Sequence, residues 1–490
     1  MKGKVNPWAE KAFKKLEQKR KEVKGIYAVV EVEPGKADEV ASQLRRMGYE
    51  VQGKVDNFVF VDLPEPADFE RVSRLPYVRV VSTQKRLWPM ALGIDEIFKR
   101  IAVAEDPILS QLKRTDLKEL GIEIRPTAIM PRPFQAILQN IDEIRGLISD
   151  PTKLALRLLT SAPLSFPFPP VLTREDWKLV TDTRTLMDLP SIAESTISEK
   201  TKCAVIDSGL AMHPAMAKTY EYYNLTIDIT PFDNMGHGQH VTTTAFGTPT
   251  FFCRYGWYEP VADAKNLLHV KVFAAFGPCT SFQIMKAMEI CAKTGAKVVN
   301  MSLGGPLQGS VEEDPECRLL EDLHRRYGTI WVVAAGNSGP EEWTISSPGA
   351  SPYALTIAAI DWHNFEVAEF SSRGPQGVYY KENRDIFEDH KYKYGDNLIK
   401  PDCSGIGVRV VAGCVGWYDL LGVYDFIGDG YEQMSGTSMA TPHCSGLVAL
   451  AIDRDLIRNV DDVKLKLREV YGEKTIDKGY GLLKFSFWRE

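Results

Sequence analysis

Apolar positions in the first 85 residues switch repeatedly between a period of two and a helical period. Ile26, Ala28, Val30 and Val32 alternate through IYAVVEVE, which Pro34-Gly35 breaks. Ala37, Val40, Ala41 and Leu44 then follow helical spacing and stop at Gly48. YEVQGKV and NFVFVDL read as two short strands around a turn, ADFERVSRL as a helix and YVRVVST as a last strand. This βαββαβ order predicts a ferredoxin-like α+β module over residues 25–85, an order that carries no function by itself. Ahead of it, residues 5–24 form one basic amphipathic helix with Trp8, Ala12, Phe13, Leu16 and Val23 on its apolar stripe. We expect it to pack on its neighbour rather than on a membrane or RNA.

The pattern changes after residue 85. DEIFKRIAV, DPILSQLKRTDLKELG and FQAILQNIDEIRGLI read as helices, and residues 161–170 hold four prolines in ten positions, as in an extended connector. From about residue 200, KCAVID, AKVVNMSL, TIWVVAAG and ALTIAAI are continuous apolar runs, several of them separated by helical stretches. Such runs fit a mostly parallel sheet buried on both faces. The expected organisation is a basic helix at 1–24, a small α+β module at 25–85, a helical insertion and connector at 86–200, and an α/β domain at 201–490.

Composition narrows the function classes. The chain has 490 residues with a net charge of −6, 44% hydrophobic and 25% charged. This balance supports a globular protein and offers no basic footprint for nucleic acid. No run of about 18 uninterrupted apolar residues predicts a membrane span. The first 24 residues carry nine Lys/Arg and three Glu, with no apolar core after them of the kind a secretory signal needs. The expected location is therefore the cytoplasm. All eight cysteines lie between Cys203 and Cys444 without a CxxC pair, so buried thiols are expected rather than disulfides or a zinc ribbon.

Four segments carry candidate chemistry. Asp207 ends an apolar strand and precedes Ser208-Gly209; alone, such a residue is more often a turn or cap residue. His237 and His240 lie in DNMGHGQHV, where glycines would let a general base be approached closely, while HExxH is absent. Asn337, in AAGNSG, offers an amide donor or a turn residue. Ser438, in MSGTSMATPH, is placed near a helix N-terminus with Pro442 in the first turn, where backbone amides favour developing negative charge. Alone, such a serine reads first as an ordinary helix cap.

Together DSG, GHGQHV, AAGNSG and GTSMATPH resemble the subtilisin-like serine proteases in type and order. VNMSLGG, FSSRGP, KPD and GYGLLKF extend the likeness over roughly 200–490. The resemblance implies a subtilisin-like fold, with a mostly parallel sheet flanked by helices, and an endopeptidase working through an acyl-enzyme. It implies Ser438 as nucleophile, His237 as base, Asp207 as the group orienting the imidazole, and Asn337 with the Ser438 amide as the oxyanion site. It also implies that Ser302, Leu303, Gly304, Gly305, Ala334, Ala335 and Gly336 line a cleft for an extended polypeptide substrate, while His240 and His443 are structural. No cofactor is required, and structural calcium, frequent in the family, finds no ligand set that can be placed. The 25–85 module resembles the subtilase propeptide, making the chain's own N-terminal domain an intramolecular inhibitor, with cleavage expected within 82–93 or in the proline-rich connector. Gln239, the TTTAFG run and Ser404-Gly-Ile-Gly407 depart from the family pattern, and residues 376–399 read as a charged surface loop. A catalytically silent, partner-binding subtilase-like protein is the alternative function.

Overall fold

The computed structural model describes residues 4–18, 25–90, 179–228, 232–252, 256–274, 278–415 and 430–488. The three helices expected between 95 and 148, and the connector at 161–170, lie outside the described residues.

The N-terminal unit runs β1 (Lys4–Val5), α1 (Pro7–Gln18), β2 (Ile26–Val32), α2 (Ala37–Arg46), β3 (Glu50–Val55), β4 (Phe58–Leu63), α3 (Pro66–Ser73) and β5 (Val78–Thr83). Its sheet has the order β1-β5-β2-β4-β3. All pairs are antiparallel except β1 with β5. Ile26, Ala28, Val30 and Val32 share one core with Val40, Leu44, Phe69 and Val72. Trp8, Ala12 and Leu16 of α1 join the same core, so this helix packs on its neighbour.

The opposite face of the sheet is apolar too. Val29, Val55, Phe58 and Phe60 are buried in the large core of the second unit. Antiparallel sheets commonly leave one face to water; two apolar faces call for a cover on each side. Phe60 meets Phe282 edge-on, with ring centroids 4.9 Å apart. At the rim Arg318 donates to Glu31 at 2.7 Å and Arg326 to Asp56 at 2.8 Å.

After β6 (Arg86–Pro89), the second unit is built from β7 (Cys203–Asp207), β8 (Glu221–Asn224), α4 (His237–Phe246), β9 (Leu267–Lys271), β10 (Cys279–Thr280), α5 (Ser281–Lys293), β11 (Val298–Met301), β12 (Leu303–Gly304), α6 (Pro315–Tyr327), β13 (Ile330–Ala334), β14 (Ala354–Ile360), β15 (Cys403–Ile406) and α7 (Thr437–Asp453). Seven strands form a sheet in the order β15-β14-β13-β11-β7-β9-β8. Every pairing in it is parallel. Apart from the edge strand β8, whose residues are exposed or half-buried, its strands are buried throughout, which explains their unbroken apolar character. Helix α7 packs across β11, β13, β14 and β15, and α4 packs on α7.

Two expectations need comment. Residues 376–399 are not a plain surface loop: Val378–Glu382 and Arg384–Tyr394 are helices. Tyr380, Phe387 and Leu398 build a satellite core with Leu307, Val311 and Trp343, and this anchoring outweighs the charged composition. Cys203, Cys279, Cys291, Cys317, Cys403 and Cys444 are free thiols, and all are buried. Among the described residues no helix is long and apolar enough to cross a membrane.

Candidate active site

Strand β7 delivers Asp207 at its carboxyl end, the position where parallel α/β sheets gather functional groups. Helix α4 begins thirty residues later at His237. Asp233 sets that helix start: its carboxylate accepts from Met235 N (2.9 Å), Gly236 N (2.8 Å) and Gln239 N (2.8 Å). Ser208 Oγ bridges the two segments, donating to Asp233 (2.9 Å) and accepting from Gly238 N (2.7 Å). A Cβ on Gly238 would stand 2.6 Å from the Gly209 carbonyl oxygen, so only glycine lets the helix approach this turn.

Asp207 and His237 thereby meet, Nδ1 to Oδ1, at 2.7 Å, both fully buried. A carboxylate only accepts, so Nδ1 carries the proton and the neutral ring presents Nε2 as a lone pair. His237 Nε2 is buried without a hydrogen-bond partner.

Ser438 lies in the first turn of α7. The helix starts at Thr437, which moves Pro442 from the expected first turn into the second. Pro442 supplies no N–H for the carbonyl four residues back, which belongs to Ser438. Ser302 Oγ donates to that carbonyl at 2.9 Å instead. In return, Ser438 Oγ donates to the Ser302 carbonyl at 2.8 Å. The hydroxyl is thus parked on the cleft wall, and rotation about its Cα–Cβ bond is what would bring it to the imidazole.

The start of α7 leaves backbone amides without helical partners. Thr437 N and Thr437 Oγ1 both donate to Asn337 Oδ1, at 3.0 and 2.9 Å. This fixes which end of the amide points away: Asn337 Nδ2 remains buried and unpartnered. The Ser438 amide donates to the carbonyl of Met90 at 3.0 Å.

That last contact belongs to a larger arrangement. Strand β6 lies between β10 and β12 in a three-stranded antiparallel sheet, with Leu87 opposite Cys279, Trp88 opposite Gly304 and Pro89 opposite Leu303. Met90 N donates to Ser302 O at 3.1 Å. A segment of the N-terminal part of the chain is therefore added as a strand to the cleft, with the Met90 carbonyl on the Ser438 amide. Leu87, Trp88 and Met90 are buried. Each such side chain contributes roughly 1.5–3 kcal/mol of hydrophobic stabilisation. The Met90 methyl would be 2.7 Å from a Cβ on Gly304, so that glycine makes room for it.

The residues that the resemblance assigns to a cleft have the following partners. Ser302, Leu303 and Gly304 bond to β6 and Met90, and Gly305 pairs with Ser347. Cys279–Thr280 pairs with the other edge of β6. Ala335 bonds Ile357 and Ser346, and the Gly336 amide donates to Thr437 Oγ1 at 3.3 Å, next to Ser438 in the chain. The short β10 and Asp233 were both missed: a two-residue strand has no period to detect, and an Asp before a helix is read as a local cap. His240 Nε2 reaches the carbonyls of Val410 (3.0 Å) and Glu432 (3.1 Å), and burial lowers its pKa to about 3. His443 Nδ1 donates to Met439 O at 2.7 Å, and burial lowers its pKa to about 4. Both rings are engaged with backbone and kept neutral.

Among the described residues no three His, Cys, Asp or Glu side chains gather in a way that could hold a metal ion.

Comparison with known proteins agrees with the geometry. Residues 198–481 match the Subtilase family, Peptidase_S8. The chain is 33% identical over 284 residues to the serine protease AprX of Bacillus subtilis (strain 168), covering 54% of this chain and 60% of AprX. It is 30% identical over 319 residues to pyrolysin of Pyrococcus furiosus, covering 51% of this chain and 21% of pyrolysin. The chain thus spans less than two thirds of these relatives. Fervidolysin from Fervidobacterium pennivorans, described as a keratinolytic enzyme related to subtilisin, shares the fold with a TM-score of 0.54 at 16% identity, over 95% of this chain and 61% of its own. The parallel sheet, the Asp207–His237 pair and the matched span lead to one conclusion: the chain belongs to the subtilase family.

Proposed function

We propose that this protein is a serine endopeptidase made as a self-inhibited precursor that cleaves itself after Met90. One observation carries the reading: the Met90 carbonyl sits on the Ser438 amide while Met90 N bonds the Ser302 carbonyl. This is the placement of a peptide about to be attacked. The Ser438 hydroxyl turns from Ser302, and its oxygen bonds to the carbonyl carbon as its proton passes to His237 Nε2. The Ser438 amide and Asn337 Nδ2 receive the resulting oxyanion. The C–N bond then breaks, and the imidazolium returns the proton to the leaving amine of Ala91. Water, activated by the same imidazole, hydrolyses the acyl-enzyme. Asp207 keeps Nδ1–H oriented throughout.

The same strand explains inhibition. After cleavage the N-terminal unit still fills the cleft, held by its apolar sheet face and by β6. Release or destruction of that unit would open the site to polypeptide substrates. The silent, partner-binding alternative has no comparable support, because Asp207, His237, Asn337 and Ser438 are all present.

The test is expression of wild type beside Ser438→Ala, with N-terminal sequencing of every fragment. Wild type should yield a new terminus at Ala91, and Ser438→Ala should stay intact. Identical fragmentation of both would defeat self-processing.

A further inference from the structure

Five residues before Met90 the same segment buries a charge. The Lys85 side chain is only 2% exposed, and its ammonium lies 2.5 Å from Asp314 Oδ2 and 2.8 Å from Glu316 Oε2. It donates to Ser347 Oγ at 2.7 Å as well. Asp314, Glu316 and Ser347 belong to the second unit and are fully buried. Among the described residues no other cation forms an ion pair with either carboxylate.

The recess is built without help from Lys85. Asp314 caps helix α6, accepting from Cys317 N at 3.2 Å. It also accepts from Gln308 N at 2.9 Å and from Ser347 Oγ at 2.7 Å. Lys85 enters by its backbone too: its N donates to Ser281 Oγ at 3.0 Å, and its carbonyl accepts from Ser281 N at 3.2 Å. Lys85 is therefore in register with the strand that places Met90 on Ser438. Five residues of extended chain span about 17 Å, so the recess is remote from the reacting bond but fixed relative to it.

We propose that Asp314, Glu316 and Ser347 form a lysine-binding subsite of the catalytic unit, selecting substrates that carry Lys as the sixth residue before the cut. This rests on the endopeptidase reading. Two adjacent buried carboxylates without a cation are costly. Whatever replaces the N-terminal strand must bring a positive charge or admit water. Asp314 Oδ2 and Ser347 Oγ accept from the ammonium and Glu316 Oε2 pairs with its charge, a compact arrangement that suits a point charge better than a planar guanidinium fork. Burial works against the Lys85 ammonium, but Asp314 and Glu316 raise its pKa above the ordinary value, so it binds charged. The subsite would serve twice, first anchoring the chain's own inhibitor and then choosing substrates.

The test uses wild-type enzyme after release of its N-terminal unit, with active sites titrated by a fluorophosphonate. Three quenched-fluorescence peptides are compared: KRLWPM-Ala-Gly and the same sequence with norleucine or arginine for the first residue. The lysine peptide should show kcat/KM at least tenfold above norleucine and severalfold above arginine. In Glu316→Gln, expressed per titrated site, the lysine-to-norleucine ratio should fall towards one, a change that partial misfolding cannot produce. Equal hydrolysis of the lysine and norleucine peptides by wild type, or an unchanged ratio in Glu316→Gln, overturns the subsite and leaves the endopeptidase standing. Absence of both hydrolysis and labelling overturns the endopeptidase reading and the subsite with it.

Discussion

The backbone amide of Ser438 donates to the carbonyl oxygen of Met90 across 348 positions of sequence, at 3.0 Å. A helix-start amide needs an acceptor, and here the chain supplies one of its own carbonyls. The same amide, in the proposed reaction, stabilises the oxyanion that forms on that carbonyl. One donor thus links the packing of the N-terminal unit to the chemistry of the second.

Asp207 acts through a single hydrogen bond to His237 Nδ1. In Asp207→Asn the amide NH₂ can face Nδ1 and favour the tautomer with the proton on Nε2, where it blocks general-base action. We expect kcat to fall by about 10⁴-fold with little change in KM, measured on a peptide substrate. A loss below tenfold would show that the imidazole is oriented by something else.

Asn337 is held by Thr437 at its oxygen, which leaves Nδ2 as a free buried donor. Asn337→Ala should lower kcat by about 10²–10³-fold while KM changes little, because the donor matters once the carbonyl becomes an oxyanion. Steady-state kinetics decide it, and a rise in KM at constant kcat would make Asn337 a ground-state binding residue instead.

These groups were legible in the sequence because each needs its own local device. Asp207 ends an apolar run, His237 is bracketed by glycines, and Ser438 follows Gly436 into an apolar helix. The βαββαβ order of residues 25–85 was equally plain, since Ile26, Ala28, Val30 and Val32 alternate over a full strand. What sequence could not reveal is structure borrowed from elsewhere. Arg86–Pro89 has no alternation and contains a proline; it is a strand only because β10 and β12 flank it. Lys85, Asp314 and Glu316 look like ordinary surface charges until the two units meet. Residues 376–399 hid Tyr380, Phe387 and Leu398 among charges, and their core forms only against Leu307 and Trp343.

Asp402 gathers three ammonium groups, from Lys400 at 2.6 Å, Lys474 at 2.7 Å and Lys464 at 3.5 Å. Burial favours its neutral acid, yet the three cations hold the carboxyl well below the usual range. Lys400 is fully buried as well. Asp402→Asn leaves that lysine without its counter-charge and should cost about 3–5 kcal/mol of stability, read from urea unfolding midpoints. A cost under about 1 kcal/mol would show that water reaches the cluster.

His269 ties stability to pH. Its Nε2 accepts from Gly209 N at 3.1 Å, so the ring is neutral with its proton on Nδ1, near Thr242 Oγ1 at 3.3 Å. Burial, helped by Lys271, lowers its pKa to about 3. An unfolded imidazole titrates near 6.5, so between these values the unfolded chain binds the extra proton. Stability from this group is complete above about pH 6.5 and is lost as pH falls below it, by about 1.4 kcal/mol per pH unit. His269→Gln keeps an acceptor for Gly209 without the titration. From pH 6 to pH 4, unfolding free energy should therefore fall more steeply in wild type than in the variant, by about that slope; parallel profiles would contradict the assignment.

The most direct test of the Asp207–His237–Ser438 device is covalent labelling. A fluorophosphonate probe added to the processed enzyme, followed by peptide mapping in a mass spectrometer, should give one adduct on Ser438. His237→Ala should slow its formation by several orders of magnitude, and Ser438→Ala should abolish it. An adduct on another residue, or labelling of Ser438 at the wild-type rate in His237→Ala, would contradict the account.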